Sequence, residues 1–440
     1  MDCDSISLWD GTAAEAWRSE GPLTGERSCD VAVIGAGFTG LSTALHCVQK
    51  GLSTHVLEAE RVAHGGSGRN VGLVNAGLWL APDKVEAALG AERGRRLVGE
   101  LGAAPAYVMA LIEQHGIACD LTRSGTIHAA HSPRGLDDLR ARAAAWHGLG
   151  ARVELLDRQA VAARVGSTAF HGGLFDPRAG TINPSAYARG LARAATQGGA
   201  RISERSPVRA IRREGRRWRL ACDEGALLAD RVVICTNAYG GAIWPGLGRN
   251  LTIIHYFNLA TEPLGARAAA ILPERQGLWD TAPIMFSLRK DAQGRLVVGS
   301  MGRVRGRFRA REGAGFRGIS QRFAQARLAR LFPDLGELRF EAAWDGRIAM
   351  TGDHLPRIHR LAEGVVAPIG YNGRGITTGT MMGRWLADWI GSGEESALPL
   401  PLSAIDRAPL RHVRELFFET AFAANQIWWG LRGGGLSRSG

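Results

Sequence analysis

The chain has 440 residues, enough for two interleaved domains, and its 45% hydrophobic and 22% charged residues are ordinary for a globular protein, which excludes a disordered or membrane-embedded chain. A net charge of +12 raises nucleic acid as a partner, but of the 54 Lys and Arg only Lys50, Lys84 and Lys290 are lysine, and the arginines are spread along the chain. That skew reads first as coding bias and second as a field that draws in acidic substrates, so no nucleic-acid partner is expected.

The first 17 residues, MDCDSISLWDGTAAEAW, are acidic and mixed, unlike a secretory leader. No apolar run approaches the roughly 20 residues that span a bilayer. The six cysteines show neither CxxC nor zinc-like spacing, and scattered thiols suit a reducing compartment. A cytoplasmic protein without a metal site is expected.

Residues 30–58 read as strand, glycine turn, helix and strand: a β-branched run over 30–34, a helix carrying Leu41, Ala44, Leu45 and Val48 at spacings of three and four, a stop at Gly51, and a second strand over 54–57. Gly35, Gly37 and Gly40 form GxGxxG at the turn. The first permits the turn, the second lets backbone approach a pyrophosphate, and the third lets helix and strand pack closely. Unpaired N–H groups and the dipole at the helix start favour the anion. Glu58 follows at the end of the second strand, placed to accept from ribose hydroxyls. The loop AERVAHGGSGRNVGLV then points to FAD rather than NAD, with Ser67, Arg69 and Asn70 as donors and Gly65, Gly66, Gly68 and Gly72 admitting a close backbone.

Residues 80–165 have helical periodicity, with short strands over 122–130 and 172–176. From about 200 the pattern is strand, an arginine-rich hairpin, and a buried strand ending at Thr236 and Asn237. Strand-like alternation over 250–345 surrounds a helix at 318–331, and 364–391 returns to strand, glycine loop and amphipathic helix. The tail is helical and rich in Phe417, Phe418, Phe422, Ile427, Trp428 and Trp429. It reads as a helix packed on the body; membrane-surface or subunit contact is open but not favoured.

Four stretches, in this order, resemble the D-amino-acid-oxidase-like flavoenzymes, and within them the γ-glutamylputrescine oxidase-like and pipecolate or sarcosine oxidase-like amine oxidases. They are VIGAGFTGLSTA with LEAERVAHGGSGRN, then LATEPL, then GRLVVGS, and finally WDGRIAMTGDHLPRI followed by GYNGRGITTGT. The resemblance implies an α/β fold: a Rossmann-like FAD-binding domain built from 28–80, 195–245 and 346–395, an interleaved antiparallel-sheet substrate domain from 81–194 and 246–345, and a helical tail over 396–440. It implies FAD contacts from Gly35, Ala36, Gly37, Phe38, Thr39 and Gly40; from Glu58, Ala59 and Arg61; and from Gly66, Ser67, Arg69, Asn70, Val71 and Gly72. Val208, Thr236, Asn237, Ala238, Gly346 and Asp353 follow, with Gly370, Asn372, Gly373, Arg374, Gly375, Ile376 and Thr377 in the C-terminal glycine motif.

The implied reaction removes a hydride from the carbon beside an amine nitrogen to flavin N5, leaving an imine, with O2 or an electron acceptor reoxidising the flavin. The expected substrate is a small amine or amino acid: a secondary amine, imino acid or γ-glutamyl-amine. Tyr256, Arg289 and Arg374 are expected at the reacting centre, with Tyr256, Asn258, Ser287, Arg289 and Asn372 around the substrate; a planar guanidinium pairs bidentately with a carboxylate. Two departures qualify this. The cysteine that tethers FAD in sarcosine oxidase-like relatives is replaced by Gly346, so FAD is expected to be non-covalent, with His64 a non-bonded polar group. The lysine that holds the substrate carboxylate there is replaced by Thr377. A 2-hydroxy acid dehydrogenase and a flavin-fold tRNA-modifying protein are the alternatives.

Overall fold

The computed structural model describes residues 7–241, 243–308, 315–406 and 408–433. Gly25–Ile34 is the central strand of a nine-stranded sheet. Its last four residues, Val31, Ala32, Val33 and Ile34, are buried, as their run of branched and apolar side chains requires. It pairs in parallel with Thr54–Leu57 on one side and Gly225–Ile234 on the other. The sheet continues through Val365–Ile369 in one direction and Arg201–Ser203 in the other. The hairpin of Ala210–Glu214 and Arg217–Ala221 branches off Gly225–Ile234. The first strand begins five residues before the apolar run at 30–34, because the solvent-facing residues Gly25–Ser28 still ladder their backbone against Gly225–Leu228. Such an edge carries no hydrophobic signal.

The helix Phe38–Gln49 lies on this sheet and packs against Gly375–Ser392. Glycines make that contact close. A Cβ at Gly383 would meet the Thr43 backbone nitrogen at 2.6 Å, and one at Gly379 would meet Thr39 Oγ1 at 2.9 Å. A third helix, Pro184–Gln197, packs Tyr187 against Phe38 (ring centroids 5.4 Å). It escaped the periodicity reading although Asn183, whose side chain accepts from Ala186 N, and Pro184 are helix-start signals.

The second sheet has eight strands, and the six that matter here run in the order Phe340–Met350, Thr252–Thr261, Leu296–Met301, Phe286–Lys290, Gly277–Asp280 and Thr126–Ala129. These pair antiparallel except for the last two, which are parallel. Tyr256 and Asn258 are two residues apart and therefore share a face. Phe257, between them, is fully buried against Phe323 of the helix Ile319–Leu331 (centroids 5.6 Å). The tail helix Arg411–Gly433 lies beside that helix. Among the described residues no helix is long and apolar enough to cross a membrane.

His55, in Thr54–Leu57, is buried with Nε2 3.0 Å from Ser203 Oγ. Burial first, then Arg201 and Arg27, lowers its pKa to about 4. The unfolded chain takes up this proton near 6.5 and the folded chain only near 4, so between those values the unfolded state binds more protons and stability falls as pH falls. The window costs on the order of 3 kcal/mol for this one group. His55→Gln is expected to flatten the decline of the thermal midpoint across it; an unchanged slope would remove His55 from the account.

Candidate active site

A cavity of about 700 Å³ is lined by residues of both sheets. At one end, Gly35 turns the chain at φ 103°, beside the carbonyl of Cys235, in a conformation only glycine adopts easily. Gly35, Ala36, Gly37, Phe38 and Thr39 all line the cavity. Gly37 caps the helix with no side-chain hydrogen bond of its own, and Phe38 N donates to Ser67 Oγ at 3.0 Å. Glu58 accepts from Ala36 N at 2.7 Å and Glu60 N at 3.0 Å. Desolvation nevertheless pushes its carboxyl above the ordinary value. Ala59, Gly66, Asn70, Val71, Val208, Thr236 and Asn237 complete this half.

Gly373, Arg374, Gly375 and Ile376 line the cavity from the start of Gly375–Ser392. Because the two glycine-rich helices pack closely, both N-termini open on the same cavity. The second sheet contributes Tyr256, Asn258 and Ser287. A Cβ at Gly299 would meet Asn258 Oδ1 at 2.7 Å, so this glycine leaves room for Asn258 and for Ser287 beside it. Asn258 Nδ2 donates to the Arg69 carbonyl at 3.0 Å.

Arg374 is the most unusual side chain here. It is 7% exposed, and its guanidinium carbon sits 4.6 Å from the Trp79 ring centroid and 5.2 Å from that of Trp279. Its buried Nε has no hydrogen-bond partner, and among the described residues no carboxylate lies within ion-pair distance. Burial, with Arg142 nearby, lowers its pKa from the usual value; an arginine starts high enough to remain a cation at neutral pH.

The other expected contacts lie off the cavity wall. Arg289 is the main correction. It is fully buried, donates to the Ile182 and Val71 carbonyls, stacks on Trp9 (4.9 Å) and sits 3.7 Å from Asp120. It shares the sheet face of Ser287 but lies beyond the cavity, so it fixes the backbone around Val71 instead of meeting substrate. Arg61 pairs with Asp10, and Arg69 donates to the His64 and Asp345 carbonyls, which spends both on protein. Asp353 pairs with Arg357, and Thr377 Oγ1 donates to the Asn75 carbonyl. Asn372, at φ 51°, is consumed by Thr351 and the Gly370 carbonyl, with Gly370 packed beside Thr351. Ala238 is half-buried against the apolar cluster of the first sheet, and Gly72 abuts Ile182 and Arg289. A Cβ at Gly40 would overlap the Gly35 carbonyl oxygen, and one at Gly346 the Tyr256 ring. Both glycines shape the site without facing it.

Trp79 and Trp279, beside Arg374, and Met285, Met301 and Ile348 elsewhere on the cavity wall were not read from the sequence. Single tryptophans in LWL and LWD look like core residues; only their meeting across the fold gives them a role. The N-terminal segment was likewise missed. Trp9, 1% exposed, donates to the Asn70 carbonyl at 2.7 Å and packs on Trp344, which clamps the glycine loop.

The residues present fit FAD. Gly37 keeps side-chain bulk away from a helix N-terminus, a second helix N-terminus opens on the far part of the cavity, and Thr236 Oγ1 is buried on the wall with no hydrogen-bond partner among the described residues. Residues 30–389 match the family model described as FAD dependent oxidoreductase. The chain belongs to that family. It is 30% identical over 366 residues to the gamma-glutamylputrescine oxidoreductase of Escherichia coli, covering 82% of this chain and 84% of that protein. It is 29% identical over 380 residues to the probable oxidoreductase OrdL of Rhizobium meliloti, covering 86% of each. The glycine oxidase of Geobacillus kaustophilus has the same fold, with a TM-score of 0.68, 21% identity, and coverage of 87% of this chain and 99% of that one. The family member described here is thus an FAD-dependent oxidoreductase acting on amines or amino acids.

Proposed function

We propose that the enzyme oxidises the C–N bond of a small carboxylate-bearing amine (a secondary amine, imino acid or γ-glutamyl-amine) to the imine. The observation that carries this is Arg374: a buried cation in the cavity, between two indoles, with no carboxylate within ion-pair distance among the described residues and only Asp176 favouring its charge from further off. Burying an unpaired charge is costly, so a site that keeps one awaits an anion. A γ-glutamyl-amine and glycine, named for two of the relatives, both carry a carboxylate.

FAD, when bound, supplies the hydride acceptor. The protein's own residues do the rest. Arg374 holds the carboxylate and so fixes which carbon faces the acceptor, a positioning effect. Trp79 and Trp279 flank that pair and keep water from it, and Met285, Met301 and Ile348 make more of the cavity wall apolar. Asn258 and Ser287 offer hydrogen-bond acceptors to the amine, which must lose its proton before oxidation. Gly37, Glu58, Ser67 and Thr236 would hold the dinucleotide portion of FAD, and the positive end of the helix Gly375–Ser392, which opens on the same cavity, would favour negative charge there.

The test is flavin bleaching under anaerobic conditions against matched pairs of substrates: carboxylated amines, their neutral analogues, and 2-hydroxy acids. Carboxylated amines are expected to bleach fastest. Faster bleaching by hydroxy acids would replace the amine with an alcohol as the reducing group, and equal rates for neutral amines would remove the carboxylate.

Acid precipitation is expected to release the flavin into the supernatant. The position of the tethering cysteine is Gly346, paired across the sheet with Tyr256, whose ring occupies the space of any side chain there. His64 lines the cavity, and flavin retained in the pellet would implicate it.

A further inference from the structure

The tail helix Arg411–Gly433 is apolar on two sides. Its inner side is accounted for: Phe422 is buried, Gln426 is fully buried and donates to the Arg303 carbonyl at 3.2 Å, and Trp429 lies under Arg327 (4.7 Å). The outer side carries Val413, Leu416, Phe417, Ile427, Trp428 and Leu431 at steps of three and four or their sums. Leu416 is 69% exposed, Phe417 67% and Leu431 75%. They form two apolar clusters on one face of the helix, Val413 to Phe417 and Ile427 to Leu431, about 15 Å apart at the helical rise with Thr420 and Ala424 between them. Two such clusters aligned on one exposed face mark an interaction surface, not scattered surface residues.

The charges around it select the occupant. Arg411 and Arg414 begin the helix, Arg303 pairs with Glu419 on its flank, and Arg322 lies against Gly430. The helix's own acids are turned to the protein: Glu415 accepts from Ile253 N at 3.0 Å, and Glu419 meets His255 and Arg303. Nearby Asp353 is held by Arg357. A second copy seated here would bring together two chains of net charge +12 through a face rimmed by arginines. A negatively charged bilayer surface would instead neutralise them while Phe417, Trp428 and the aliphatic residues enter the headgroup region. The helix is not apolar enough to cross a membrane, which leaves it to lie along one.

We propose that Arg411–Gly433 docks the enzyme on an anionic lipid surface. No residue of this helix lines the cavity, so the inference is independent of the substrate. The full-length, FAD-loaded protein would be sedimented with vesicles of phosphatidylcholine alone and of equimolar phosphatidylcholine and phosphatidylglycerol. Binding is expected to the anionic vesicles only. The charge-neutral variant Phe417→Ser/Trp428→Ser is expected to bind at least about tenfold less, because two interfacial aromatics are lost, with flavin content and turnover unchanged. Arg303→Gln/Arg322→Gln should weaken binding and its salt dependence together. Wild-type protein left in the supernatant overturns the proposal, as does equal binding to neutral vesicles. Unimpaired binding by Phe417→Ser/Trp428→Ser overturns it too, since net charge alone would then suffice. A doubled mass by light scattering that this variant returns to a single chain would give the face to a second copy.

Discussion

Gly40→Ala is expected to cost the enzyme its fold, whereas Gly37→Val should cost it only its flavin. A Cβ at Gly40 would overlap the Gly35 carbonyl oxygen and sit 3.1 Å from Val33 Cγ1. Both neighbours belong to the rigid strand-and-turn, so the helix Phe38–Gln49 must move away. That movement would undo the glycine-mediated contacts at Gly379 and Gly383 that hold the second helix against it. Overpacking of this kind costs about 3 kcal/mol, and more where backbone has to shift. At Gly37 the nearest atom to an added Cβ is Ser67 Oγ, at 2.8 Å, and a hydroxyl can rotate aside. The loss is the Phe38 N to Ser67 bond, roughly 1 kcal/mol. The valine side chain would then stand where the pyrophosphate approaches the helix. Urea unfolding and the flavin-to-protein absorbance ratio separate the two. Gly37→Val protein purifying with a full complement of flavin would mean that the pyrophosphate lies elsewhere, and Gly40→Ala protein as stable as wild type would defeat the close-packing argument.

The same contrast explains what was legible in the sequence. Gly35, Gly37, Gly40 and Glu58 act through local geometry within one strand–turn–helix–strand unit, and local geometry leaves a spacing pattern. Residues 318–331 read as a helix for the same reason, and Ile319–Leu331 is one. Arg289 failed because its environment is entirely non-local: the carbonyl of Ile182, the ring of Trp9 and the carboxylate of Asp120 come from segments more than 100 residues away. A strand residue two positions from Ser287 had the right face but no register to say how far the cavity extends. The Trp79–Arg374–Trp279 arrangement was half legible. Arg374 stood out in a glycine-rich turn, while its indole partners come from a loop and from a strand of the other sheet, with nothing in their own neighbourhoods to mark them.

Replacing Arg374 is expected to raise KM for carboxylated amines far more than it lowers kcat. A carboxylate held remotely from the reacting bond is bound alike in ground and transition states, and losing such a contact is a loss of uniform binding. Arg374→Met, which keeps an apolar side chain between the indoles, should lower kcat/KM by about a hundredfold, the scale of one charge-assisted hydrogen-bonded contact. Neutral amines should be turned over as before. Arg374→Lys is the more informative change. The ammonium would lose bidentate geometry and planar stacking on Trp79 and Trp279. It would also inherit the burial and the neighbouring Arg142 that already lower the pKa at this position. An ammonium begins about two units below a guanidinium, at about 10.4, and the same forces bring it closer to neutrality. The sign follows directly: as pH rises through that lowered value the variant loses its charge and its hold on the carboxylate. Its KM for a carboxylated amine should therefore climb at lower pH than that of the wild type, whose guanidinium is itself lowered to about 9, and neutral amines should show no such difference between variant and wild type. Steady-state kinetics from slightly acid to alkaline pH, with one carboxylated amine and its neutral analogue, decide it. Parallel KM profiles for the two proteins would mean that Arg374 does not carry the substrate carboxylate.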